Sequence, residues 1–404
     1  MNRRSIAVLG FAAAMLSPAA AHANGFVLYE LNPQAIAQGG AMVADGSDPS
    51  AVAHNPAAMT RLPGFQAQLN VTTYISQNSF KSQGTDRKEN AETGVFPMPT
   101  AFATWQPTRK LTLGIGSYCI YGLALTWPDK WTGYQAVKKA SLRSYQVQPS
   151  FAVGPFAGLS FGGGLDVVYG AVDLQKGLPL GSNTFGRTTI GGTTVGIGAN
   201  FGLFYEPTDW LRVGAGYRTP LTMKLDPGGA SFESNATFDQ QLKKQDVRTA
   251  LNLPGIFIVG ARFKPTKNFQ FEVDGWLAQW NSYKELNFQF DDPSLNQVEK
   301  KNWHNAWDLR MGGQYDLDKL ALRAGFVYVQ SPIPDSTLDP SLPDSTRLIP
   351  SVGAGYQFTK AFRADLGYHF VYLLPRSVDA SVNRLPGEYR GSVNSIVVGA
   401  TIQL

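Results

Sequence analysis

Trp105-Gln106-Pro107-Thr108-Arg109-Lys110-Leu111 reads as the end of one strand, a tight turn and the start of the next. Tyr205-Glu206-Pro207-Thr208-Asp209-Trp210 and Phe263-Lys264-Pro265-Thr266-Lys267-Asn268-Phe269 repeat the pattern, and weaker versions stand at 154–158, 315–320 and 358–362. Between successive short turns the chain runs up a strand, through a long polar loop and back down. Six short turns and seven long loops require fourteen strands. An even number suits a closed antiparallel β-barrel with both chain ends on one side of a membrane.

The flanking segments carry the two-residue alternation that a strand imposes on its side chains. Phe362, Ala364, Leu366, Tyr368, Phe370 and Tyr372 share one face, and Arg363, Asp365, Gly367 and His369 the other. Leu320, Leu322, Ala324, Phe326 and Tyr328 oppose Arg323 and Gly325, and Ile396, Val398, Ala400, Ile402 and Leu404 oppose Ser395, Gly399, Thr401 and Gln403. Alternation alone fits a soluble sandwich too. Aromatics near the strand ends and charge mixed with glycine on the opposite face favour lipid outside and a polar lumen. An Arg facing lipid at midplane costs about 2–4 kcal/mol, so Arg310, Arg323 and Arg363 are expected to face inward. The expected strands are 65–80, 93–106, 110–122, 142–154, 159–172, 193–206, 209–219, 250–264, 268–281, 302–316, 319–331, 348–358, 361–374 and 391–404. Loops such as 219–249 and 281–301 are expected outside the cell.

Residues 1–23 read as a secretory signal peptide: Arg3 and Arg4, an apolar run over 6–16, and Ala21-His22-Ala23 as a cleavage site. The run is too short for a spanning helix, which needs roughly 20 apolar residues. The 42 glycines, 24 phenylalanines, 16 tyrosines and 8 tryptophans, in a chain with few charges, fit a barrel whose alternate residues meet lipid. Lone Cys119 precludes an internal disulfide. The net charge of +5 is spread along the chain and forms no basic stripe for nucleic acid. Residues 24–63 lack sustained alternation and are rich in Ala and Gly. A fourteen-strand barrel needs filling, so this segment is expected to be an N-terminal hatch (plug) in the lumen, with 64–404 as the transmembrane barrel.

Several motifs resemble the FadL/TodX family of outer-membrane transporters for long-chain fatty acids and other hydrophobic compounds. Asn24-Gly25-Phe26-Val27-Leu28-Tyr29-Glu30 is similar to the family's opening, and Gly39-Gly40-Ala41 through Ala44-Asp45 to its hatch. His54-Asn55-Pro56-Ala57-Ala58-Met59-Thr60 carries its Asn-Pro-Ala signature. Tyr121-Gly122-Leu123-Ala124, Leu251-Asn252-Leu253-Pro254 and Ser331-Pro332-Ile333-Pro334 recur in order, so the resemblance spans essentially the whole mature chain. It implies a plugged fourteen-strand barrel that transports cargo by facilitated diffusion. Ligand would enter a surface groove, reach an interior pocket beneath the hatch, and leave sideways through a gap at a kinked third strand. Two features depart from the family: a short loop at 173–192, and a final Leu404 where an aromatic is usual.

The residues offer a place for such a lateral gate. Leu111, Leu113 and Ile115 oppose Thr112, Gly114 and Gly116, but the pattern fails where Tyr118 and Ile120 follow on the lumen face, up to Gly122. Glycine within a strand often marks a bulge. In the neighbouring strand Pro97 and Pro99 each lack a ladder donor. Phe26 matches a residue that the family places in its pocket. His304, Asp308 and Arg310 fall on one face opposite Trp303 and Trp307, where a cation could hold a fatty-acid carboxylate; a salt-bridge network is the competing reading. Asn55, Pro56 and Ala57 are expected to shape a hatch turn.

The four histidines fit no triad order, Gly162-Gly163-Gly164 lacks the strand-to-helix setting of a phosphate loop, and no metal-ligand spacing occurs. The expectation is therefore a non-enzymatic transporter without cofactor or metal, in the outer membrane of a Gram-negative bacterium, carrying long-chain fatty acids or aromatic hydrocarbons. Its expected partners are hydrophobic small-molecule cargo, outer-membrane lipid and lipopolysaccharide, and the barrel-assembly machinery during biogenesis. It is expected to act as a monomer and without nucleic acid. The alternative functions are a general diffusion porin for small polar solutes, or a receptor or adhesin that uses its loops alone.

Overall fold

The computed structural model describes residues 25–28, 31–180, 185–234, 242–380 and 384–404. The proposed signal peptide, and Asn24, Tyr29 and Glu30 of the family-like opening, lie outside the described residues.

Fourteen antiparallel staves close into a barrel. The first four are Phe65–Ser82, Gly94–Thr108, Leu111–Tyr118 resuming as Gly122–Thr126, and Lys139–Phe156. The fifth to eighth are Leu159–Pro179, Phe185–Thr208, Leu211–Arg218 resuming as Leu221–Glu233, and Gln245–Leu253 resuming as Ile256–Phe263. Phe269–Ala278, Ala306–Leu317, Leu320–Val329, Arg347–Thr359, Phe362–Val378 and Gly387–Gln403 complete the set. The last stave pairs with the first from Gln66–Gln403 to Ser82–Gly387, so that neither is left as an edge. Closure satisfies the backbone internally, which hydrocarbon demands. Tight turns join staves where the sequence places them: Phe156 pairs with Leu159 across Ala157 and Gly158, both at positive φ. Two positive values in succession are what a two-residue hairpin matching strand twist requires.

The outer wall is apolar. Leu69 and Val71, Phe151, Val195 and Ile197, Phe201, Leu366, Ile396 and Val398 are all exposed. An apolar surface of this extent marks contact with lipid, not a soluble sandwich. Arg310 and Arg323 are buried on the lumen side, and Arg363 pairs there with Asp365 at 2.7 Å.

Three expectations need correction. The tenth stave begins at Ala306, not 302, so Trp303 is buried inside and His304 is exposed, the reverse of the expected faces. The segment 173–192 is mostly hairpin, because the fifth stave runs to Pro179 and the sixth starts at Phe185. The supposed loops 219–249 and 281–301 contain Leu221–Glu233, Glu285–Phe290 and Gln297–Lys300. These pieces project past the lipid band. There the outer face can be polar, so the alternation is reversed: Leu221, Met223, Leu225, Phe288 and Phe290 face inward while Thr222, Lys224, Asp226 and Gln289 between them are exposed.

Residues 31–62 fill the lumen almost without exposure. Short helices Pro33–Ala37 and Ala51–His54 and the 3-10 turn Pro56–Arg61 form this hatch. Asn32 caps the first helix, accepting from the Ala35 N–H at 2.6 Å and donating to Asp48 and Ser50 at 2.9 Å each. The lumen glycines make room for it. Gly162 and Gly202 face each other across the ladder, and a Cβ on either would overlap Asn55-Pro56-Ala57. Gly312 and Gly325 similarly admit Gln38, and Gly367 and Gly399 admit Pro33. Of the Gly162-Gly163-Gly164 run, Gly162 is thus part of a seat for the hatch. Buried ions fasten it: Arg262 bridges Asp45 of the hatch at 2.8 Å and Glu272 of the wall at 2.6 Å. Asp274 accepts from the Met42 and Val43 N–H groups at 2.9 and 3.2 Å.

Candidate functional site

The third stave breaks where its alternation fails. From Tyr118 to Leu125 every residue is buried, because the chain turns inward there. Tyr118 pairs with Gln146 of the fourth stave and Gly122 with Arg143, so one extra residue is accommodated as a bulge. The displaced backbone pairs with the N-terminal strap. Leu28 N–H donates to Ile120 O at 2.7 Å and Gly122 N–H to Phe26 O at 2.8 Å, with Val27 bridging Tyr121. Below the bend the Tyr118 hydroxyl bonds Gln148 and accepts from Arg218 at 3.1 Å. Arg218 is ion-paired with Asp166 and also donates to the hatch carbonyl of Ala53 at 3.2 Å.

This bend leaves the second stave without its neighbour. The ladder between the two ends at Ala101–Ser117, and the next contact is Glu92 N–H to Thr126 O, 2.8 Å. Register with the first stave nevertheless runs unbroken through Pro97, opposite Thr73, and Pro99, opposite Val71. N–H groups alternate between a strand's two neighbours, so the missing proline donors lie on the other edge, facing the gap. A cavity of ≈ 190 Å³ occupies the upper gap between Gly94, Phe96, Ala124 and Leu125, with Ala140, Ser141 and Arg143 behind.

Inside, on the long-loop side of the hatch, lies a cavity of ≈ 120 Å³. This corrects the placement beneath the hatch: its sixth-stave lining is Ile190 and Thr194, whereas the hatch rests on Gly202, farther toward the short turns. Leu123, Leu142, Leu174, Met223, Leu251 and Phe288 give it an apolar wall. Its size suits one benzene-sized body, since a dry apolar cavity of about 150 Å³ takes up benzene. Phe26 lines it, seated against Trp280, Trp303 and Tyr283 with ring centroids at 5.1, 5.4 and 6.0 Å. Gly25, at φ +68°, lets the strap approach: a Cβ there would lie 2.5 Å from Trp280 and 2.6 Å from Trp303.

Toward the outside, a groove of ≈ 1170 Å³ runs among Lys176, Val298, Leu338, Pro340 and Leu385. Glu299, Lys301, Asp339 and Ser341 line both groove and inner cavity, so they form the threshold between them. Lys301 meets Asp339 at 2.8 Å and Glu299 at 3.3 Å. Burial would raise the Asp339 carboxyl, but Lys301 and the bonds from Ser341 hold it below its usual range. Burial likewise opposes the charge on Lys301, yet Asp339, Tyr283 and Glu299 raise its pKa above the ordinary lysine value.

Of the sequence candidates, Pro97 and Pro99 border the gap, Tyr118, Ile120 and Gly122 form the bend, and Phe26 lies in the cavity. His304 is exposed outside the stave, its backbone N–H bonded to Pro332 O at 2.9 Å. Arg310 lies against the hatch, donating to Gly39 O at 3.3 Å and Asp308 at 3.2 Å with its guanidinium 4.0 Å over Trp276. The structure does not bring His304 and Arg310 together, and neither lines the cavity. Sequence reasoning misses Trp280, Tyr283, Trp303, Lys301 and Asp339. The Trp276–Tyr283 aromatic run is the one signal that could have drawn attention there.

A lipid-facing barrel with a plugged lumen, an outer groove and an apolar inner cavity defines a transport protein of the Gram-negative outer membrane. The chain belongs to the outer membrane protein transport protein family (OMPP1/FadL/TodX), whose profile matches residues 14–403. It is 24% identical over 412 residues to the long-chain fatty acid transport protein of Escherichia coli O6:H1, covering 90% of each chain. Its structure is similar to that of a Pseudomonas aeruginosa FadL homologue, with TM-score 0.84, 18% identity and coverage of 94% of this chain and 99% of that one. For the Pseudomonas putida toluene transporter TodX the TM-score is 0.73, at 19% identity, covering 92% and 98%. The two structural likenesses establish the fold.

Proposed function

We propose that this chain carries hydrophobic molecules of the fatty-acid or monoaromatic class inward by facilitated diffusion, without enzymatic chemistry, and releases them sideways into the bilayer. The observation that carries this reading is the unpaired edge between the second and third staves beside the apolar cavity. Ala140 and Ser141 line both spaces. Cargo gains about 25 cal/mol per Å² of apolar surface on leaving water and would forfeit that by passing down into the periplasm. Opening a regular ladder in hydrocarbon leaves polar groups unpaired at several kcal/mol each. Here two of the donors are absent from the start, which lowers that cost.

The resemblance to fatty-acid and toluene transporters supports the cargo class, and the cavity supports a ring or chain segment as the bound portion. Proteoliposomes containing the protein should accumulate toluene or a long-chain fatty acid, while planar bilayers should show no sustained ion conductance through the filled lumen. Steady conductance with no hydrophobic uptake would establish the porin instead.

A further inference from the structure

Resting on the transport reading, we infer that the inner cavity selects neutral apolar molecules bearing one oxygen acceptor, such as an aryl ketone, over carboxylates. Two observations meet here. First, the cavity's charges are already matched. In its lining Lys301 pairs with Asp339 and Glu299, Glu299 is also met by Lys176 at 3.5 Å, and Asp173 is held by Lys139 at 2.5 Å. A carboxylate entering this site meets, among the described residues of the lining, no cation that is not already committed to an acid.

Second, neutral polar groups of the lining stand unbonded. The Trp303 indole N–H, the Ser141 hydroxyl and the Thr249 hydroxyl are all buried atoms without a hydrogen-bond partner among the described residues. Leaving a buried donor unmade is costly, whereas supplying its partner recovers that cost. Indole N–H is a donor only, and both hydroxyls can donate, so the missing partner is an acceptor. An alkylammonium offers none, and a plain hydrocarbon leaves all three unbonded. A ketone or ester oxygen fits, with its apolar body against Phe26 and the leucines. Ser141 also lines the gap cavity, so an acceptor can meet a second donor on the way out.

The test uses four probes of similar size on purified full-length protein, measured by titration calorimetry: acetophenone, ethylbenzene, phenylacetate and phenethylamine. Phenylacetate should bind more weakly than acetophenone. Trp303→Phe keeps the ring and removes the N–H, and should weaken acetophenone about fivefold, the scale of one hydrogen bond, leaving ethylbenzene unchanged. Thr249→Val provides a second, shape-conserving variant, with heat-modifiable gel mobility reporting a folded barrel. Tightest binding of phenylacetate or phenethylamine, or equal losses of acetophenone and ethylbenzene in both variants, overturns the specificity while the transport reading stands. Failure of all four to bind overturns both.

Discussion

Asn55→Ala should release the hatch without unfolding the barrel. Asn55 is fully buried, and its amide donates to Val43 O at 2.7 Å within the hatch and to Leu203 O at 2.9 Å in the wall. Its side-chain oxygen accepts from the Ala57 N–H at 3.1 Å. Alanine removes all three bonds and leaves two carbonyls and one N–H buried. At about 1 kcal/mol for each net bond, the hatch loses roughly 3 kcal/mol of seating energy. Every 1.4 kcal/mol is tenfold, so the unseated population should rise on the order of a hundredfold. Hydrogen exchange by mass spectrometry reads this directly. Peptides covering 51–62 should exchange about a hundredfold faster, while stave peptides such as 195–205 keep their protection. Gly202→Val should act alike from the other side, because its Cβ would overlap the Asn55 oxygen. Unchanged exchange over 51–62 in both variants would refute the argument that this turn holds the hatch.

Other outcomes follow from the charges. Cargo affinity should be flat between about pH 5 and pH 9: the Asp339 contribution is present above the ordinary carboxyl value near 3.9 and lost only as pH falls through its depressed value, and that of Lys301 persists until pH rises past its raised one. Binding titrations would show a mid-range step if the pair did not form. Asp339→Asn removes one acid from the cavity threshold and should strengthen phenylacetate binding about threefold, the scale of a partly exposed ion pair, with little change for ethylbenzene. Arg218→Met strands the Asp166 carboxylate and cuts the link from Tyr118 to Ala53; a loss of about 3–5 kcal/mol should appear as a lower barrel melting temperature and as faster exchange in 116–122 and the hatch together.

How much of this is legible in the chain depends on where lipid acts. Within the membrane one face must be apolar, so the twelfth stave, read as 348–358, is found at Arg347–Thr359. The bend is legible for the same reason: a strand that leaves the wall stops alternating, as 118–122 does. Beyond the lipid band the outward face is polar, so Glu285–Phe290, whose Phe288 and Phe290 face inward, and the short Gln297–Lys300 pass as loop. That is also where the cavity's outer end is built. Trp280 and Trp303, or Lys301 and Asp339, meet through loop conformation, which no local periodicity encodes. Arg310 shows the converse limit. Facing the lumen is readable from its parity, but whether it meets cargo or hatch depends on what fills the lumen, and there it meets Gly39.

The lateral exit is tested most directly by sealing the gap. Phe96 and Ala124 line its cavity from opposite staves, so Phe96→Cys with Ala124→Cys, on a Cys119→Ser background, can be joined by a short bifunctional thiol reagent with a reducible centre. The joined protein should still migrate as a folded barrel and bind cargo, yet accumulate none in proteoliposomes, and reduction should restore uptake. Undiminished uptake through a wall shown by mass spectrometry to be fully joined would contradict the lateral route and leave a path through the hatch.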